Sequence, residues 1–220
     1  MTLPKTPIRL ACLLSTALLV AGCNVAGALL YKFTPEADVP SRFTLRDVPT
    51  IVLAENFRNP DMAANDAELL GRCVQDELIK YKVVQNVVKS EKIADLRNNH
   101  PKDFPKMSVP EIAKEIGAEQ VIYIDLVSSG IGSMTGSSMF QGRASALVKV
   151  IDAKTGKIAW PPDSTDGFGV NYETNPLKGR EEGSYASVRS DLYEGLGKNI
   201  GRLFHAWKQS EDDDDKRPSM

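Results

Sequence analysis

Seven residues at 121–127, VIYIDLV, constrain the fold of this chain most. They are apolar or β-branched except at Asp125, the composition of a strand. Pleating puts Ile122, Ile124 and Leu126 on one face and Tyr123 and Asp125 on the other. The stretch just before carries helix punctuation. Ser108 stands at an N-cap position with Glu111 three residues on, Pro110 lies in the first turn, and Gly117 ends the run. A helix delivered straight into a central strand calls for a sheet with helices packed on it.

The rest of the body alternates in the same way. Residues 50–57, TIVLAENF, read as a buried strand. Asn65 opens a helix with Glu68 at capping-box spacing, and Leu70, Cys73, Val74, Leu78 and Tyr81 fall on one apolar stripe. Residues 82–88, KVVQNVV, read as a second strand; a short helix at 91–98 and a polar loop, NNHPKDFPK, follow. Residues 143–160 form a hairpin turning at 152–156, where Gly156 supplies a positive φ, with an edge strand near 167–172. A last helix carries Val188, Leu192, Leu196, Ile200, Leu203, Phe204 and Trp207 on one stripe. Its glycines at 195, 197 and 201 each cost about 1 kcal/mol against alanine, so close packing on the sheet is their expected return. The predicted order is β-α-β-α-α-β-β-β-α, a single α/β (α+β) domain over 48–208 with helices on a mixed sheet.

The N-terminal stretch is of another kind. MTLPKTPIRLACLLSTALLVAGC pairs a short basic leader, Lys5 and Arg9, with an apolar run at 10–21. That run is too short for a membrane span of about twenty residues and right for a signal sequence. Val20-Ala21-Gly22-Cys23 then resembles a bacterial lipobox. Small residues admit an extended backbone to a peptidase, and the thiol accepts diacylglycerol. The resemblance implies cleavage between Gly22 and Cys23, loss of residues 1–22, and two or three acyl chains such as palmitate at Cys23. At about 0.8 kcal/mol per buried CH2, two chains hold a protein firmly where one does not. Asn24 rather than aspartate follows, which favours the outer membrane over the inner in many proteobacterial lipoproteins. The expected location is therefore the cell envelope, facing the periplasm. Residues 23–47 make a tether with Pro35 and Pro40, part of which, at Phe33 or Phe43, can pack on the domain; residues 209–220 make a solvated acidic tail.

Cysteines and charge narrow the options. Cys12 leaves with the signal and Cys23 is acylated, so Cys73 stands alone and no internal disulfide can form. Cys73 reads as a small core residue. Net charge is −2, falling to −4 without the leader, and the tail holds most of that. No basic stripe exists to track a phosphate backbone, so nucleic-acid binding is not expected.

Motifs that would carry chemistry are missing. The chain has two histidines, His100 in a polar loop and His205 in the last helix, and no Cys or His spacing for zinc. GIGSMTG at 130–136 has its third glycine one residue late for a dinucleotide loop, and DAKTGK at 152–157 is better explained as a hairpin turn. Asp163 and Asp166 lack the other ligands of a calcium loop, and no G-x-S-x-G elbow occurs. No enzyme activity, metal or cofactor is expected. The uncharged stretch at 127–142, VSSGIGSMTGSSMFQG, is unusual. It reads either as a flexible hairpin connection or as a segment that docks on a partner through Met134, Met139 and Phe140.

Three segments carry a resemblance: IVLAENF…AELLGRCVQDELIKYKVV, IAKEIGAEQVIYIDLV and VKVIDAKTGKIAW. Together they resemble the α/β domain shared by the N-terminal part of the Tol-system β-propeller protein, the curli-secretion lipoproteins and the lipoprotein activators of penicillin-binding proteins, over about residues 48–207. The resemblance implies a lipid-anchored, non-catalytic envelope protein that binds or positions another envelope protein. An oligomeric secretion component of the curli type is the alternative, with a homo-oligomer as its consequence. A pore is not expected, because the 127–142 stretch is short and lacks barrel alternation. An enzyme or small-ligand carrier is a third reading with no motif behind it.

Overall fold

The computed structural model describes residues 38–56, 58, 64–133, 139–178 and 184–210. In chain order these hold β1 (Asp38–Val39), β2 (Thr50–Glu55), α1 (Ala64–Lys80), α2 (Glu91–Asn99), a 3-10 turn (Phe104–Lys106), α3 (Val109–Ile116), β3 (Gln120–Ser133) and β4 (Met139–Asp152). They continue with β5 (Ile158–Trp160), β6 (Phe168–Glu173), β7 (Leu177–Lys178), α4 (Ser184–Gly201) and β8 (Trp207–Lys208).

The main sheet is mixed, as expected. β2 lies parallel to β3 from Thr50↔Gln120 to Glu55↔Asp125. β3 lies antiparallel to β4 from Gln120↔Asp152 to Ser133↔Phe140, with one irregularity between Leu126 and Ser128. The other side of β4 is shared by β5, β6 and β7. A separate two-stranded ladder joins β1 to β8, Asp38↔Lys208 and Val39↔Trp207.

Period-two alternation sorts the sheet residues into two cores. Val52, Ile122, Ile124, Leu126, Val148 and Val150 face α1 and α4, where Leu70, Val74, Leu78, Leu192, Leu196 and Ile200 meet them. Ile51, Leu53, Val121 and Ile151 face the opposite way, onto Ile93, Phe104, Ile112 and Ile116 of α2, the 3-10 turn and α3. Each such aliphatic side chain contributes about 1.5–3 kcal/mol on full burial. The split at β3 is the one its sequence predicts.

α3 is bounded by local chemistry. The Ser108 N–H and hydroxyl each donate to Glu111 Oε2 at 2.7 Å, the reciprocal cap of the capping box. Gly117 leaves the helix at φ 76°, a left-handed turn that a side chain would strain.

The glycines of α4 act differently from expectation. Of the three, Gly195 faces the sheet, where a Cβ would clash with the Tyr172 ring of β6. Gly197 and Gly201 face α1: a Cβ would stand 2.6 Å from Cys73 Cβ and 2.9 Å from Glu77 Cβ respectively. The small residues thus set the approach of two helices as well as of helix to sheet.

Three other elements differ from the sequence reading. Residues 82–88 touch β2 at a single parallel bridge, Thr50↔Val87, through Thr50 N–H to the Asn86 carbonyl at 2.9 Å and Val88 N–H to the Thr50 carbonyl at 2.8 Å. Lys82, at φ 50°, turns the chain out of α1, and the segment meets β2 only at that bridge. The last helix stops at Gly201, where tightened turns close with Leu203 N–H to the Ile200 carbonyl at 3.1 Å and Phe204 N–H to the Gly201 carbonyl at 2.9 Å. His205 and Trp207 therefore lie beyond the helix, Trp207 in β8. The 127–142 stretch is largely regular strand, with β3 running to Ser133 and β4 starting at Met139. Of the tether reading, Phe43 packs on Trp160 with ring centroids 6.0 Å apart, and Leu45 is buried.

Candidate functional site

β2 ends at Glu55, opposite Asp125 of the parallel strand β3, which runs on to Ser133. The crevice at the carboxyl ends of parallel strands is where open α/β sheets place ligands. Here the sheet face toward α2 and α3 is incompletely filled and leaves a cleft of ≈ 710 Å³, within the range of about 300–1,000 Å³ usual for ligand pockets. Leu53 and Ile151 form its floor, Ile112 of α3 and Phe104 of the 3-10 turn form one wall, and Met107 joins them. The Ser108–Glu111 cap fixes the start of α3, and with it the Met107–Val109 side of the cleft. Those two hydrogen bonds from Ser108 hold the Glu111 carboxyl below its ordinary pKa.

Three charged residues line the cleft: Glu55, Arg97 and Lys149. Arg97 Nη2 donates to Glu55 Oε1 at 3.1 Å, and its guanidinium lies 4.9 Å from the Phe104 ring centroid. Burial raises the Glu55 pKa, with Arg97 opposing. Lys149 Nζ donates to the Thr165 carbonyl at 3.2 Å and stands 5.2 Å from the Tyr123 ring centroid. The Tyr123 hydroxyl is pushed up to about 12, first by burial and then by Asp125 and Glu55. Behind this rim Arg58 bridges two acids, with Nε 2.6 Å from Asp125 Oδ2 and Nη2 3.1 Å from Asp166 Oδ1. Among the described residues Asp125 Oδ1 is buried there without a hydrogen-bond partner. No described Cys or His lines the cleft. Its chemistry is that of an apolar slot with a charged rim.

The residues singled out in the sequence lie elsewhere. Gly22, Cys23 and Met134 fall outside the described residues. Met139 and Phe140 are half-buried at the start of β4, paired with Lys178 and Leu177. That is the opposite end of the strand from Lys149, so they take no part in the cleft. Gly130 and Gly132 sit within β3 rather than at a strand-to-helix turn. DAKTGK is a turn: Asp152 Oδ1 accepts from the Thr155 N–H at 2.9 Å and the Thr155 hydroxyl at 2.8 Å, and Gly156 has φ 69°. His205 stacks on Tyr81 at 3.9 Å. Cys73 is half-buried between α1 and α4, and burial pushes its thiol up to about 11. Among the described residues no group of three His, Cys, Asp or Glu side chains is placed to hold a metal ion. No described helix is long and apolar enough to cross a membrane. What the sequence reading missed is Asn98, Pro101, Phe104 and Pro105, four cleft residues from a stretch read only as a polar loop. Its two prolines and lone phenylalanine were the available signal.

No protein-family model matches the sequence, and comparison with curated proteins gives no match. Among solved structures, the lipoprotein GNA1162 from Neisseria meningitidis is similar at 12% identity and a TM-score of 0.45, over 67% of this chain and 97% of that one. The PelC dodecamer from Paraburkholderia phytofirmans is similar at 13% identity and a TM-score of 0.40, over 77% and 96%. Likeness at this level transfers neither protein's role to this chain.

Proposed function

We propose that this protein is a non-catalytic lipoprotein of the bacterial cell envelope, held by acyl chains on Cys23, facing the periplasm and binding or positioning another envelope protein. The observation that carries this reading is the sequence Val20-Ala21-Gly22-Cys23 behind a basic leader and an apolar run. The fold is compatible with it. The first described strand, β1, begins at Asp38, so fourteen residues separate Cys23 from the ladder. Extended at about 3.3–3.6 Å per residue, they reach roughly 50 Å. That length lets the domain stand clear of a bilayer surface and meet a partner. Asn24 after the cysteine favours the outer membrane.

Mass spectrometry of the mature N-terminal peptide tests the anchor. An acylated Cys23 at the new terminus is the expected result. A Cys23→Ser chain that still fractionates with the envelope at unchanged size would refute it. Crosslinking in cells then tests the binding role, which fails if no envelope protein is recovered from any surface position.

One observation favours a second reading, an oligomer joined through strand edges. β2 ends opposite Asp125, while β3 continues to Ser133. Among the described residues no strand pairs with that side of β3 beyond Asp125. Its residues there, Leu126-Val127-Ser128-Ser129-Gly130-Ile131-Gly132-Ser133, carry no charge to discourage edge pairing. Light scattering of the detergent-extracted protein distinguishes the readings: a fixed multiple of the chain mass supports the oligomer, and a monomer dismisses it.

A further inference from the structure

The charge on the cleft wall does not balance. Glu55 contributes one negative charge, Arg97 and Lys149 one positive charge each. Arg97 is paired with Glu55. Lys149 forms no ion pair among the described residues, and its described hydrogen bond goes to a neutral carbonyl, that of Thr165. An ammonium has three donors and a guanidinium five, so both cations retain capacity for a further acceptor. A single carboxylate placed between them neutralises the rim, and the guanidinium fork suits its two oxygens. A second negative charge would overshoot. A cation would meet Arg97 and Lys149 themselves, while the Arg58–Asp125–Asp166 group, net negative by one charge, stands behind the rim.

The walls set the rest of the ligand. Leu53, Phe104, Met107 and Ile112 are apolar and converge beneath the rim. Met107 adds a side chain able to follow an irregular flexible chain.

We infer that the cleft binds an amphiphile with a single carboxylate head, of the fatty-acid class, with its chain against Leu53, Phe104, Met107 and Ile112 and its head between Arg97 and Lys149. This goes beyond the anchoring and partner-binding role, and does not depend on Cys23. It also differs from any acyl chain on Cys23, which would bring no carboxylate.

The test uses the full chain in phosphatidylcholine nanodiscs, a diazirine-bearing fatty acid, and peptide mapping of the photoadduct. The expected adduct lies within residues 97–112. Dodecanoate should compete at about tenfold lower concentration than dodecanol, a neutral molecule of the same chain length. Lys149→Gln should cut labelling about tenfold while Lys149→Arg retains it, and Val109→Trp, which fills the mouth of the cleft, should abolish it. Thermal melts of each variant separate lost binding from lost folding. Adducts confined to other peptides, equal competition by dodecanol, equal labelling of Lys149→Gln and Lys149→Arg, or labelling that survives in a folded Val109→Trp chain would each overturn the assignment.

Discussion

Replacing Gly197 with alanine opposes two effects of known size. Alanine is the better helix former by about 1 kcal/mol. Against that, the new Cβ would lie 2.6 Å from Cys73 Cβ, 3.2 Å from the Cys73 carbonyl carbon and 3.3 Å from Val74 N. None of these is the free end of a side chain, so rotamer changes cannot relieve the contact and α1 and α4 must separate. Overpacking of this kind costs about 1–3 kcal/mol. With three short contacts, two of them to backbone, the upper part of that range applies, for a net loss of about 1–2 kcal/mol. Thermal melts should show a Tm lower by roughly 2–8 °C at the usual 2–4 °C per kcal/mol for a domain of this size. Pairing the change with Cys73→Gly removes the shortest contact, and a double-mutant cycle should return a favourable coupling above about 0.5 kcal/mol. A Gly197→Ala chain more stable than wild type by the full helix-propensity gain would refute the close approach of α1 to α4.

Gly117→Ala should destabilise by about 1 kcal/mol in denaturant titration, since φ is 76° and no neighbour lies within 4 Å of a Cβ there. Tyr193→Phe removes the 2.6 Å bond between Tyr193 Oη and Ser129 Oγ; about 0.5–1.5 kcal/mol is expected, with hydrogen-exchange protection lost first in the distal half of β3. Cys73, with its thiol near 11 rather than 9.0, should react with a thiolate-selective reagent at pH ~8 about a hundredfold more slowly than an unperturbed thiol. Glu55 has a folded pKa above its ordinary 4.5, so its contribution is fully favourable below that value and is lost as pH rises through the raised one. The stability of wild type relative to Glu55→Gln should therefore fall over that interval, and a rise instead would mean Arg97 outweighs burial.

Legibility in the sequence followed locality. α3 and its exit could be read because Ser108, Glu111 and Gly117 settle their own geometry within ten residues. The two faces of β3 could be read because Ile122, Ile124 and Leu126 alternate with Tyr123 and Asp125. The distal part of the hairpin could not, since serine and glycine carry no alternation. There the strand is specified from outside, by Ser128 against Ser145 at 2.6 Å, Ser129 against Tyr193, and Gly142, where an added Cβ would stand 3.2 Å from Leu192 and Val188 of α4. Trp207 misled because its spacing continued the helical stripe after Gly201 had ended the helix. The cleft was least legible. It is a gap between elements distant in sequence, and nothing local marks Lys149, which the fold sets over the Tyr123 ring and on the same cleft as Arg97.

The pairing of Asp38 with Lys208 brings the entry and exit of the domain to one spot. Whatever precedes residue 38 and whatever follows residue 208 start out as neighbours. Tension applied to the chain before residue 38 would load first a ladder only two residues long, then the bonds from Arg42 and Phe43 N–H to the Leu203 carbonyl, before it reached the sheet.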